Sequence, residues 1–362
     1  MTMRFAKIPH IENAWNNVQI KTLSPSTFAW VNRGCGYQVL LQKALQTFND
    51  KALLLPSNHN ALLGKIIHKL YELTQKGDLR SIVDLKNKWE ELVTLEKEKL
   101  AIEYPTLQNA DLNDYDKRNS AIRYALGIMR KPNTAPTTAE TIKVYAEKWL
   151  DCAELGLIGI ADKLITDGEY IDVLDFKSGH VLDETGNIKT EYIIQLHLYA
   201  TMCQHLSMGT PRHLTLVDID GENHNVPYSQ AYSEQLLSKV QETIGVLNNI
   251  ITTRKFKEYA KTELGLCANC ECRHVCDYRA IPAESYYQTI IGEVIEIPST
   301  NMYVLRNGDD KLYISGLDAY NVDNPKEYIG RTLTFVNVIR ASQSADEYTY
   351  KITENTLAYE QE

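Results

Sequence analysis

The chain changes its hydrophobic rhythm twice. Up to about residue 130, apolar positions recur at three- and four-residue intervals. In NALLGKIIHKLYELTQK (60–76), Leu63, Ile66, Ile67, Leu70 and Leu73 fall on one stripe, which predicts an amphipathic helix. Residues 23–48 open with Ser24-Pro25-Ser26, a helix start with proline near the first turn. Residues 81–103 predict a long charged helix and 113–130 another, so the stretch from about 20 to 130 is expected to be helical. The rhythm then shortens. Residues 139–150, 155–166 and 169–177 predict three successive strands, with Asp167-Gly168 as a hairpin turn between the last two. Helices are expected over 190–206 and 229–253, with a strand near 212–219 between them. From 286 onward the pattern is all β: YYQTIIGEVIEI, MYVLRNG, DKLYISG, RTLTFVNVIR and YTYKITENTLAY. Five short strands with a small helical insert at 325–329 predict a small OB-like barrel, with an SH3-like barrel as the competing arrangement. The expected division is 1–283 and 284–362, with the sheet of the first part over about 139–220.

Composition is that of an ordinary globular protein, 44% hydrophobic and 23% charged over 362 residues. No apolar run is long enough to span a membrane. The opening residues MTMRFAKIPHIENAW carry no secretory pattern, so a cytoplasmic location is expected and no membrane partner. The net charge of −9 argues against a broad basic surface. Its distribution qualifies this. Residues 284–362 hold 13 acids and 6 bases, a balance of −7, which leaves only −2 for the rest. A basic groove fits the first part better than the tail.

The candidate chemistry starts with VLDFKSG (173–179). On a strand, Asp175 and Lys177 point to the same face. Alone they read as a surface ion pair. Asp162, in GIADKL on the preceding strand, supplies a second carboxylate if strand twist or a bulge brings it to Asp175. Two carboxylates can hold Mg²⁺ or Mn²⁺, which activates water and polarises a phosphoryl oxygen, while a lysine offsets developing charge. Glu147, in YAEKWL, is a possible extra acid on the first predicted strand, with a solvent-facing position the favoured reading. His68 stands in GKIIH on the second predicted helix, and Gln195 and Tyr199 share a face of the helix carrying QLHLY. His197 faces elsewhere.

The ordered set GKIIH, GIAD, DFK and QLHLY resembles the RecB-type nucleases of the PD-(D/E)XK superfamily. The resemblance implies a restriction-endonuclease-like α/β core, a mixed central sheet flanked by helices. It implies metal ligation by His68, Asp162, Asp175 and the carbonyl of Phe176. Asp162, Asp175 and Lys177 would be catalytic, and Gln195 and Tyr199 would line the site and touch DNA. The activity implied is metal-dependent hydrolysis of DNA, on single strands or ends, in repair and recombination, CRISPR adaptation or phage defence. The alternative is a catalytically silent subunit of a helicase–nuclease assembly. No G-x4-G-K-[S/T] pattern occurs, so a motor would belong to a separate partner, docked on the C-terminal barrel. The barrel aromatics Tyr303, Tyr313 and Phe335 read either as single-strand contacts or as core.

Four of seven cysteines crowd into CANCECRHVC (267–276). Thiols so close point to metal ligation, with zinc the usual occupant and an iron–sulfur cluster the other. The stretch resembles the iron–sulfur branch of RecB-type nucleases (AddB-like, CRISPR-associated adaptation nuclease-like and exonuclease V-like). That branch implies a structural 4Fe–4S cluster on Cys35, Cys267, Cys270 and Cys276. Two features depart from its pattern. Gly36 stands where a proline commonly follows the first cysteine, and Cys272 is an extra thiol able to replace a ligand. Cys152 and Cys203 are expected to be buried thiols.

Overall fold

The computed structural model describes residues 3–107, 110–130, 142–280, 287–344 and 347–362. Residues 139–141 of the first predicted strand and the expected 283/284 boundary lie outside them. A short strand β1 (Ala6–Ile8) precedes the helical part, which comprises α1 (Pro25–Arg33), α2 (Gly36–Gln46), α3 (His59–Gln75), α4 (Ile82–Glu103) and α5 (Tyr115–Arg130). Polar caps set the starts: Ser24 Oγ accepts from Thr27 N, Asn58 Oδ1 from Ala61 N and Ser81 Oγ from Asp84 N. The single helix expected over 23–48 is two. It breaks at Gly34–Cys35, and α2 begins at Gly36 because a Cβ there would collide with the Tyr259 ring.

Next come β2 (Lys143–Cys152), β3 (Leu157–Thr166), β4 (Tyr170–Phe176), α6 (Thr190–His205), β5 (Thr210–Val217), β6 (Asn223–Val226) and α7 (Gln230–Thr253). They form a five-stranded sheet in the order β2-β3-β4-β5-β6, in which only the β4–β5 pair is parallel. Helix α6 makes the crossover that a parallel pair requires. The expected hairpin closes with Thr166 opposite Ile171, Gly168 at φ +99°, and Asp167 Oδ1 accepting from the Glu169 and Tyr170 amides. One continuous core joins the helices to this sheet through Leu63, Ile67, Leu70, Leu164, Val173 and Leu196.

Short helices α8 (Phe256–Tyr259) and α9 (Leu264–Ala268) lead into the cysteine segment. The rest is β7 (Tyr287–Ser299), β8 (Met302–Asn307), β9 (Asp310–Ser315), β10 (Thr332–Ser344), β11 (Glu347–Lys351) and β12 (Leu357–Gln361). Five of these close a barrel, β7-β8-β9-β11-β10 and back to β7, with β9–β11 its parallel pair. Closure leaves no open edge among the five. The final predicted run, 348–359, is broken by a turn in which Thr356 N bonds Thr353 O at 3.0 Å. Its second half, β12, leaves the barrel circuit, pairs with β10, and takes β1 alongside in parallel. The first residues of the chain, grouped by sequence with the helical part, therefore pack with the barrel, and Phe5 enters its core. Tyr303 and Phe335 are fully buried in that core, which removes them as strand contacts, while Tyr313 bonds Glu347. Among the described residues, no helix is long and apolar enough to cross a membrane.

Candidate active site

The β-ladders put three carboxylates at facing positions. Ala146 pairs with Lys163 and Lys148 with Ala161, so Glu147 and Asp162 face each other. Lys163 pairs with Leu174, so the next step brings Asp162 to Asp175. The expectation that the two aspartates need a twist or bulge to meet is corrected: the hairpin register alone aligns them. The irregularity sits in β2 instead, where Glu147 has φ +49°. Side-chain alternation in β3 slips at the same level, with Ala161 and Asp162 buried in succession.

Helix α3 closes the site from one side. Its buried stripe, Leu63, Ile66, Ile67 and Leu70, fixes the helix on the core and leaves His68 half-buried at the sheet's edge. His68 Nδ1 lies 3.3 Å from Asp162 Oδ1 and 3.6 Å from Glu147 Oε1. Asp162 Oδ2 accepts from the Phe176 amide at 2.7 Å, which fixes that carboxylate. The Phe176 ring packs against Tyr71 and Tyr124 at 5.2 and 5.7 Å, anchoring the strand end. Burial alone would lower the His68 pKa, but Asp162 and Glu147 outweigh it and raise it to about 10.

Helix α6 closes the site from the other side. Lys177 Nζ stands 2.6 Å from Asp175 Oδ2 and donates to Gln195 Oε1 at 2.8 Å. It also lies 4.7 Å from the Tyr192 ring centroid, a partner that the sequence reading missed. Asp175 is buried, and that burial raises its pKa to about 6 against the pull of Lys177. The reverse holds at Lys177: burial lowers its pKa, and Asp175 more than restores it. Gln195 and Tyr199 are both buried. Gln195 contacts the lysine directly. His197 is buried elsewhere, 3.0 Å from Ser233 Oγ.

The donor set fits a divalent cation. One ligand atom each from His68, Glu147 and Asp162 lies within 4.8 Å of the others. The contact of Asp175 Oδ2 with Lys177 is an ion pair without an aligned hydrogen bond, so this buried oxygen retains acceptor capacity. A second acid–histidine group, Asp218, Glu222 and His224, is closed on itself, with His224 Nε2 at 2.8 Å from Asp218 Oδ2.

The cysteines gather at the other end of the domain. Cys35, Cys267, Cys270 and Cys276 line one small cavity with Tyr37 and Leu41. Backbone amides point at three of the sulfurs: Lys261 N at Cys35 Sγ (3.4 Å), Ala280 N at Cys267 Sγ (3.3 Å) and Cys272 N at Cys270 Sγ (3.4 Å). Cys272 is fully buried and does not line the cavity; its Sγ lies 3.9 Å from Gln38 O. Burial and the neighbouring thiols push the Cys276 thiol up to about 11. Among the described residues, the sulfurs do not come together in threes within 4.8 Å, as the His68 group does. Cys152 and Cys203 are buried.

No curated protein matches this chain. The family model of the PD-(D/E)XK nuclease superfamily matches residues 22–277, a span that holds the helices, the sheet, Asp175-Phe176-Lys177 and every cysteine. With well over half of its residues in that match, the chain belongs to the PD-(D/E)XK nuclease superfamily.

Proposed function

We propose that this protein is a metal-dependent DNA nuclease acting on single strands or DNA ends. The observation that carries the reading is Lys177, held between Asp175 and Gln195 beside the His68–Asp162 pair. His68, Asp162, Asp175 and the Phe176 carbonyl would hold Mg²⁺ or Mn²⁺. When bound, such an ion lowers the pKa of a water and polarises the phosphate. Lys177, kept protonated by Asp175, offers an N–H to the oxygen on which negative charge grows. Gln195 fixes the direction of that N–H, and the Tyr192 ring packs beside the lysine. Water forms one phosphorus–oxygen bond as the bond to the leaving sugar oxygen breaks; its proton goes to solvent, and the leaving oxygen takes one back.

The finer assignment is to the iron–sulfur branch of RecB-type nucleases. Four thiols around one cavity and amides aimed at the sulfurs support it. The barrel belongs, in this reading, to the OB type: its circuit of first, second, third, fifth and fourth strands, with the third and fifth parallel, supports that. The domains are then the nuclease unit to about 283 and the barrel from 284, with β1 added to the latter. A cytoplasmic setting keeps the thiols reduced. The barrel would dock a helicase or another DNA-processing partner.

The test is anaerobic purification followed by Mn²⁺-dependent degradation of end-labelled single strands and duplexes. Wild-type protein is expected to be brown, absorbing at roughly 400 nm as thiolate-bound iron does. It should degrade single strands, with Asp175→Ala slower by about 10³-fold or more. Equal rates for the two proteins would overturn the assignment of catalysis to this site. A colourless protein with stoichiometric zinc would overturn the cluster.

A further inference from the structure

Glu147 occupies the middle of β2, an edge strand, where a charged side chain ordinarily points to solvent. Its backbone leaves the strand conformation. At φ +49° it lies in the left-handed region, which non-glycine residues adopt only at an energetic cost. Neither neighbour requires this, since Ala146 and Lys148 keep their ladder partners on β3. The consequence falls on the side chain, whose Oε1 comes to 3.6 Å from His68 Nδ1 across from Asp162. The side chain is 27% exposed, so burial does not drive it there.

The expected ligand set takes its second carboxylate from Asp175. That side chain is held by Lys177 at 2.6 Å, while His68, Glu147 and Asp162 are the donors that converge within 4.8 Å. From this geometry we propose that Glu147 is a ligand of the catalytic divalent cation, completing an imidazole–carboxylate site with His68 and Asp162. Asp175 then serves mainly to hold Lys177, and its remaining carboxylate capacity would go to the cation. The inference rests on the metal-dependent reading above and adds to it a residue that the ordered motifs do not contain.

The experiment measures Mn²⁺ affinity of the full chain without DNA, from the loss of the free-ion electron paramagnetic resonance signal. The proteins are wild type, Glu147→Gln, Glu147→Asn and Asp175→Asn. Glutamine keeps the shape and removes the charge; asparagine tolerates the left-handed backbone and is too short to reach the ion. Both Glu147 variants are expected to bind Mn²⁺ at least fivefold more weakly, with Asp175→Asn affected less. The metal-free Glu147→Asn protein should be no less stable to urea than wild type. A loss of under fivefold in Glu147→Gln overturns the proposal. So does a metal-free Glu147→Asn protein that is destabilised while its Mn²⁺ affinity is kept, which would make the residue structural. Wild-type protein that takes up no Mn²⁺ instead overturns the metal-dependent reading itself.

Discussion

The carboxylate site and the cysteine cavity gather ionisable donors in opposite ways. Glu147, Asp162 and Asp175 occupy facing positions on three adjacent strands, and a short hairpin sets most of that register. Only His68 comes from farther away. The cavity joins Cys35 to Cys267 across 232 positions (267 minus 35), and it closes only when α2, α8 and the segment after α9 have all docked. The first site is hard, acidic and partly open to water; the second is soft, lined by thiols, tyrosine rings and the cations Lys261, Arg273 and Arg279. A site built from local register should tolerate chemical change without loss of fold. A site built from distant segments should not.

The largest expected effect tests that contrast directly. In the proposed cluster, Cys35→Ser would release a tie between Cys35 and the 267–276 segment. A cross-link closing a loop of this length restricts the unfolded chain by about 4–5 kcal/mol. Thermal unfolding should therefore fall by roughly 10 °C or more, and iron content should fall with it. His68→Ala, which removes the imidazole from beside Asp162 and Glu147, should cost less stability than Cys35→Ser while abolishing Mn²⁺-dependent cleavage. Calorimetric melting of both variants checks this. Similar losses of stability in the two would remove the distinction between the sites.

The same contrast explains what the sequence could show. Asp175, Lys177 and the hairpin turn at Asp167-Gly168 were legible because strand alternation and turn chemistry are local. The facing of Asp162 and Asp175 was open to arithmetic as well, since a tight hairpin pairs 163 with 174 and leaves 162 next to 175. Glu147 could be read as a possible extra acid, but its approach to His68 could not, because that comes with a positive φ that no residue preference announces in a glutamate. Tyr192 was missed because a ring beside a lysine has no spacing signature. The break at Gly34–Cys35 was hidden by continuous apolar periodicity, and the split of the last β run was hidden by Thr353 and Thr356, which close a turn without glycine or proline. The membership of Phe5 in the barrel core is a long-range contact, beyond the reach of any local pattern.

The next effect sharpens the comparison through pH. In the metal-free protein, Asp162 and Glu147 raise the His68 pKa from 6.5 to about 10 against the effect of burial. A folded value above the unfolded one means that this proton stabilises the metal-free fold fully below pH 6.5, and that the contribution is lost as pH rises toward 10. A cation needs the free imidazole and must displace the proton. Between pH 7 and 9, Mn²⁺ binding should release close to one proton, and apparent affinity should rise up to about tenfold per pH unit. Titration calorimetry in buffers of different ionisation enthalpy counts the protons. The release should vanish in His68→Ala and persist in Cys272→Ala. No release in wild type at pH 8 would mean that His68 does not bind the ion.

Cys272→Ala carries the smallest expected effect and the sharpest discrimination. Cys272 is buried beside the cavity, yet its sulfur turns toward Gln38 O, 3.9 Å away. Its backbone amide donates to Cys270 Sγ at 3.4 Å, and its thiol also interacts with the Cys270 side chain. Alanine keeps that amide and loses one buried sulfur, a change worth about 1 kcal/mol. Iron content and colour should be unchanged. The opposite result, a Cys272→Ala protein that loses its iron while Cys35→Ser keeps it, would make the ligand set wholly local to 267–276. Both sites would then be products of nearby sequence, and the stability of the domain would have to rest on the apolar core that joins α2 to α7 rather than on a metal tie between its ends.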